Sequence, residues 1–328
     1  MTQHILCLYC CTYLEDINRV IRLAKSISEY NSDNIPFYIS VPDNEISIFE
    51  VEVGKVIEGV TFIPETQIIK TIPNVTNKQI YSIRGGLRQQ IIKSNFWRLG
   101  LTKNYLCLDS DCIFLRNFLI NDFIAVDDIP YSVIHEGKTI LQPTLILSKR
   151  KHREYFIKDR NPIQKELERP GVTYDFGYAP FIWSSEVWLS LESNFLTPNS
   201  KSFLDIILEH GSEFTWYGEA LLKYRAIPVY PREELFKHYH YYDQFILERI
   251  MGVNDSLIRN DYLGKVMQSS WDKAITHKSA HKSLSSRLLL KTKNHLKIFL
   301  LKIRILRNLF LNFRRIVTTS RSLFENLW

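Results

Sequence analysis

The stretch that decides the fold is Ile5-Leu6-Cys7-Leu8-Tyr9-Cys10-Cys11, read together with residues 15–30 and with Pro36-Phe37-Tyr38-Ile39-Ser40-Val41. The first run is apolar without interruption and short, as a strand buried on both faces would be. In residues 15–30, Ile17, Val20, Ile21, Leu23, Ala24 and Ile27 recur at near-helical spacing. The second run ends at Pro42-Asp43-Asn44, a turn signal. Strand, helix and strand in this order form a βαβ opening, which predicts an α/β protein built on a parallel sheet. Short strands are expected at residues 60–63, 68–69, 131–134 and 144–147, and helical character over residues 153–169. Residues 87–99 read as a helix with Leu87, Ile91, Ile92, Phe96 and Leu99 on one half and Gln89, Gln90 and Lys93 on the other. Gly85-Gly86 ahead of it would let a phosphate approach the helix start.

That helix leads into Asn104-Tyr105-Leu106-Cys107-Leu108-Asp109-Ser110-Asp111-Cys112-Ile113-Phe114-Leu115. An apolar strand here delivers two acids two residues apart. In extended backbone, positions i and i+2 share a face, so Asp109 and Asp111 are expected to aim at one point. Two carboxylates crowded in apolar surroundings need neutralising, and a hard divalent cation that also takes phosphate oxygens does this. The plainer alternative is a helix cap or an Asx-turn at a strand end.

Composition sets the bounds. With 328 residues, 45% hydrophobic and 13% aromatic, there is ample material for a full core. The five cysteines form no pair of C-x-x-C motifs, which argues against a zinc ribbon and for reduced thiols in a cytosolic protein. No signal peptide is expected, and no segment holds enough uncharged apolar residues for a membrane-spanning helix. The net charge of +7 hides an asymmetry: residues 273–328 hold 13 Lys/Arg and a single acid, Glu325, for a net of +12. Residues 1–272 keep 29 basic and 34 acidic residues, a net of −5.

Three later blocks add candidates. Tyr174-Asp175-Phe176-Gly177-Tyr178 places an acid in an aromatic loop. Ser212-Glu213-Phe214-Thr215-Trp216-Tyr217-Gly218-Glu219 precedes an apolar helix expected over residues 220–224. Phe236-Lys237-His238-Tyr239-His240 holds two histidines that share a face if extended.

Taken in order, the βαβ opening, the helix bearing Gln89, Gln90 and Lys93, the strand ending Asp109-Ser110-Asp111, and the Asp175 and Glu219 blocks resemble the nucleotide-sugar-dependent glycosyltransferases of the GT-A fold. The nearer similarity is to bacterial DxD glycosyltransferases found among surface-polysaccharide genes, over roughly residues 1–245. The resemblance implies a Rossmann-like mixed sheet flanked by helices, with residues 246–272 as a connecting segment. It implies that Mn²⁺ or Mg²⁺ binds Asp111 and Asp109, and that Thr12, Tyr13, Gln89, Lys93, Asp109 and Ser110 line the nucleotide-sugar site. Glu219 and Asp175 compete for the role of catalytic base, and His240 is the candidate third metal ligand.

Residues 273–328 form the remaining domain, an expected amphipathic helical extension. At 100° per residue over residues 296–317, Ile298, Phe299, Ile303, Leu306, Phe310 and Phe313 are among those on one half, and Lys297, Arg304, Arg307, Arg314 and Arg315 among those on the other. Such a helix suits an anionic lipid surface; the alternative is a helix packed on the catalytic domain or a dimer contact. No nucleic-acid module accompanies the charge. The combined expectation is a cytoplasmic enzyme, peripheral on the inner face of the membrane. It would move a sugar to a glycan or lipid-linked acceptor in lipopolysaccharide or capsule synthesis. The alternatives are another metal–phosphate enzyme, such as a nucleotidyltransferase or phosphatase, and a non-enzymatic membrane-binding module.

Overall fold

The computed structural model describes residues 4–137 and 160–268, with Phe299 and Ile303 alone beyond them. It is a mixed α/β structure. Two compact units are present: Met1–His238 with Asp255–Met267, and Tyr239–Asn254 with Gln268–Trp328.

The first unit opens with β1 (His4–Cys11), α1 (Ile17–Tyr30), β2 (Phe37–Val41), α2 (Ile46–Gly54) and β3 (Thr61–Pro64). Then come α3 (Glu65–Ile69), α4 (Asn77–Tyr81), α5 (Gly85–Asn95), β4 (Thr102–Leu108), β5 (Cys112–Phe114) and β6 (Tyr131–Val133). After residue 160 follow α6 (Asn161–Glu166), β7 (Phe181–Ser184), α7 (Ser185–Leu191), α8 (Phe203–Glu209), α9 (Glu213–Tyr224), β8 (Tyr230–Arg232) and β9 (Phe236–Tyr239). The second unit holds α10 (Tyr242–Ile250). The chain returns to the first with α11 (Asp255–Asp261) and β10 (Gly264–Met267), inside the stretch read as a connector.

The main sheet has the order β3-β2-β1-β4-β7. β1, β2, β3 and β4 run parallel, with Leu8 opposite both Phe37 and Leu106, while β7 pairs antiparallel to β4. Burial of β1 explains its sequence: Leu6 to Cys11 are all buried because helices cover both faces. α1 buries Val20, Leu23, Ala24 and Ile27, the stripe its periodicity predicts. Two smaller sheets, β5-β10-β9 and β6-β8, accompany the main one, with β10 antiparallel to β5 and β6 parallel to β8.

One expected strand is a helix. Residues 68–69 lie in α3, which begins directly after Pro64, and Asp43 caps it by accepting from the Thr66 amide at 3.2 Å and from the Thr66 hydroxyl. A carboxylate 23 residues away overrides the β-branched pair. The strand expected at residues 144–147 lies outside the described residues, as do residues 153–159 of the expected helical stretch.

An aromatic ladder crosses the main sheet and fixes the elements that carry the candidate site. Phe96, just past α5, stacks on Tyr9 at 3.8 Å and meets Tyr105 edge-on at 5.1 Å. Tyr105 meets Trp183, and Trp183 meets Trp188 and stacks on Phe181. Such pairs stabilise by about 0.5–1.5 kcal/mol each beyond their burial. Gly100, at φ 66°, makes the left-handed turn that ends the Phe96–Leu99 helical turn and admits β4. Gly211 sits close to α5: a Cβ there would lie 2.7 Å from the tip of the Leu87 side chain, which would have to shift to admit it.

Candidate functional site

From β1 the chain winds outward to β2 and β3, then returns through α5 to enter β4 on the other side of β1. The order reverses between β1 and β4, and open α/β sheets bind ligands outside the carboxyl ends of strands at such a point. Cys10 is in register with Leu108. Thr12 and Tyr13 therefore leave β1 beside Asp109, Ser110 and Asp111 as they leave β4. The structure thus gathers five of the expected site residues at one sheet edge.

The acid pair is not in extended backbone. The Cys112 amide donates to the Asp109 carbonyl at 3.0 Å, closing a tight turn between β4 and β5, and the Met267 amide donates to the Asp111 carbonyl at 3.1 Å. The expectation that the two carboxylates share a strand face is corrected: the turn gives them different surroundings. The Asp109 side chain is 42% exposed, whereas Asp111 is buried.

Asp109 continues the alternation of Tyr105 and Cys107, on the face covered by α5. There Lys93 Nζ donates to Asp109 Oδ1 at 2.5 Å and stands 3.8 Å from Glu213 Oε1. Lys93 and Glu213 are both buried. The Tyr105 hydroxyl donates to the Lys93 carbonyl at 3.2 Å and so pins α5 over the sheet. Burial by itself would lower the Lys93 pKa, but Asp109 and the other anionic neighbours more than reverse this and leave it well above its usual value. Burial raises the Glu213 carboxyl, against the opposing pull of Lys93. Sequence reading placed Lys93 on the polar half of α5 and missed Glu213, although the quoted aromatic block contains it.

On the opposite face, Ser110 Oγ donates to Asp16 Oδ2 at 3.4 Å, and Asp16 is bound by Arg19 at 2.6 Å. Thr12 is fully buried; its amide donates to the Ser40 carbonyl, and its hydroxyl has no hydrogen-bond partner among the described residues. Tyr13 is half-buried at the start of the turn into α1, and Gln89 is half-buried on α5 one turn ahead of Lys93.

The remaining candidates lie in other arrangements. Glu219 does not precede a helix; it sits inside α9, buried, with both oxygens held by the Arg169 guanidinium, one at 3.0 Å. The helix begins earlier because Glu213 and Phe214 already belong to it. Asp175 is also buried, accepting from Arg160 Nη2 at 2.7 Å and lying 3.9 Å from His135 Nδ1. Burial raises the pKa of both acids, and the arginine beside each opposes the rise. Both serve as anchors that tie a loop to a helix. His238 is buried against the Tyr178 ring at 5.4 Å. His240 belongs to the second unit, where its amide donates to Gln244 Oε1 at 3.1 Å at the start of α10.

The donor set at the β4–β5 turn can be tested against a divalent cation. Carboxylate oxygens are hard ligands suited to Mg²⁺ or Mn²⁺, and Asp109 is accessible. Among the described residues, no three His, Cys, Asp or Glu side chains are grouped to hold an ion. A cation held by Asp109 or Asp111 would therefore have to take its other ligands from phosphate oxygens and water. Lys93 already neutralises Asp109. The neighbouring thiols are no competitors: Cys10, Cys11, Cys107 and Cys112 are all free and buried, and burial raises their pKa, that of Cys11 to about 12.

A family model described as a family of unknown function, DUF6492, matches residues 3–286. The chain belongs to that family. No curated protein matches it.

At the far end of the same sheet edge, this DUF6492 chain carries another buried acid that sequence reading passed over. Glu65, directly after β3, lies 3.7 Å from Arg88 of α5, and burial raises its pKa to about 7 against the pull of Arg88. The folded state therefore holds a proton on Glu65 that the unfolded chain releases near its ordinary value of 4.5. Between these values the native state binds more protons, so stability falls as pH rises through this window and levels off above about 7. Glu65→Gln removes the ionisation. Urea unfolding is expected to show the variant more stable than the parent at pH 8, by on the order of 2–3 kcal/mol, with the difference vanishing near pH 4. A difference independent of pH would contradict the assignment.

Proposed function

We propose that the chain is a GT-A-like glycosyltransferase that moves a sugar from a nucleotide-sugar donor, with the donor diphosphate at the carboxyl edge between β1 and β4. The observation that carries this reading is the convergence of Thr12, Tyr13, Asp109, Ser110 and Asp111 at the one point where the strand order reverses. Three parallel strands ordered 3-2-1, followed by β4 and an antiparallel β7, give the mixed sheet that the resemblance implies. In this reading Asp109 and Asp111 hold a Mn²⁺ or Mg²⁺ ion, which when bound offsets the charge of the departing nucleoside diphosphate. Lys93 adds positive charge beneath the turn. Ser110, held by Asp16, keeps the turn seated on α1.

The acceptor follows from the tail. Among the described residues no helix is long and apolar enough to cross a membrane. Residues 304–328, with most of the projected basic face, lie outside the described residues, but Phe299 and Ile303 are helical, exposed and one turn apart. Exposed apolar side chains set in so basic a sequence suit an anionic bilayer. A lipid-linked glycan is the acceptor that would make such an anchor useful to a catalytic domain, and in this reading the protein works at the inner face of the cytoplasmic membrane. Neither nucleic acid nor a spanning segment enters this reading.

Incubation with a panel of nucleotide sugars and Mn²⁺ is expected to release nucleoside diphosphate slowly from one of them, and Asp111→Asn is expected to cut that release by at least about 100-fold. Unchanged release by the variant would remove Asp111 from the metal assignment. No release from any donor would remove the transferase reading. For the anchor, the full chain should float with liposomes rich in anionic lipid, and a chain ending before Lys273 should not; equal flotation would overturn the membrane assignment.

A further inference from the structure

We propose that Lys93 is a resident countercation of Asp109 that competes with a divalent cation for that carboxylate, and that Glu213 is the positioning residue that receives the ammonium when the cation binds. The inference deepens the metal-dependent reading and rests on it for the identity of the incoming ion.

The geometry is that of one cation between two acceptors. Lys93 Nζ is 2.5 Å from Asp109 Oδ1 and 3.8 Å from Glu213 Oε1. A move of about 1 Å by the ammonium, well within the reach of a flexible lysine stem, would bring it to ordinary hydrogen-bond distance from Glu213. The backbone need not follow, because the Lys93 carbonyl is held by Tyr105 and α5 is packed on the sheet through Phe96. The two acceptors differ in access: the Asp109 side chain is 42% exposed, and that of Glu213 only 6%. An incoming ion therefore meets Asp109, while Glu213 stays beneath.

Electrostatics explains why both acids are needed. A dication on Asp109 repels the ammonium, and a buried ammonium left without a carboxylate is strongly destabilised. Glu213 removes that cost. With no ion on Asp109, Lys93 balances the charge of that carboxylate. The start of α9 brings the second acceptor within 3.8 Å of the ammonium.

The test uses the full chain and Mn²⁺ alone, with free Mn²⁺ followed by electron paramagnetic resonance at fixed ionic strength. Four proteins are compared: the parent, Lys93→Met, Glu213→Gln and the double variant. Removing the competitor in Lys93→Met is expected to tighten Mn²⁺ binding about tenfold, and removing the receiving acid in Glu213→Gln to weaken it about tenfold. With Met at position 93 there is no ammonium to receive, so Glu213→Gln should then change affinity by less than about threefold. If Lys93→Met alone does not fold, the double variant, which leaves no buried unpaired charge, is compared with Glu213→Gln and should bind more tightly. Equal weakening by Glu213→Gln in both backgrounds would make Glu213 a mere source of field and overturn the hand-over. Unchanged or weaker binding by both Met variants would overturn the competition while leaving metal binding intact. Absence of Mn²⁺ binding in all four would overturn this proposal and the metal assignment together. The transferase reading would then still stand or fall on donor hydrolysis.

Discussion

The buried ammonium of Lys93 is the constraint on which the carboxyl edge of the sheet depends. β4 delivers Asp109 to the end of an apolar strand, and α9 begins with Glu213 on the same face. Two carboxylates converging on buried space would drive the elements apart or take up protons. One lysine from α5 holds them together. Its position is fixed from below by the Phe96, Tyr9 and Tyr105 cluster and by the Tyr105 hydroxyl on its own carbonyl. Packing and electrostatics are thus joined in a single helix.

The topology then determines where this charge arrangement is useful. β1 and β4 are neighbours with no direct connection, and the loops that leave them part to opposite sides. Asp109 faces α5, and Ser110 faces α1 through Asp16. The turn between β4 and β5 is held on both faces and also at its carbonyls, by Cys112 and Met267. A rigid turn with one accessible acid can bind a charged ligand without first ordering itself. The arginine-bound acids Asp175 and Glu219 play a different part, tying loops to helices within the same unit.

Much of the frame was legible because the signals were local. The apolar run of β1, the stripe of α1 and the run of β2 each declare their own period, and the acid pair announces the edge. What failed did so where a distant residue decided the outcome. Residues 68–69 became helix because Asp43 caps α3 across the sheet edge. Asp109 and Asp111 sit in a turn because β5 pairs with β10, which brings Met267 to the Asp111 carbonyl. Glu219 read as a helix start because its partner, Arg169, is 50 residues away. Lys93 was expected at the nucleotide-sugar site from the polar half of α5, but its burial was not legible because no periodicity shows that Glu213 of α9 stands against it. Glu213 had one usable signal: an acid following Ser212 at the head of an apolar, aromatic run, the position of a first-turn helical acid.

The most direct measurement of the account is the anomalous difference map of a crystal grown with Mn²⁺ and a nucleoside diphosphate. A manganese peak is expected within bonding distance of the Asp109 carboxylate, with Lys93 Nζ displaced toward Glu213. A Lys93 ammonium still on Asp109, with manganese bound elsewhere in the chain, would contradict it.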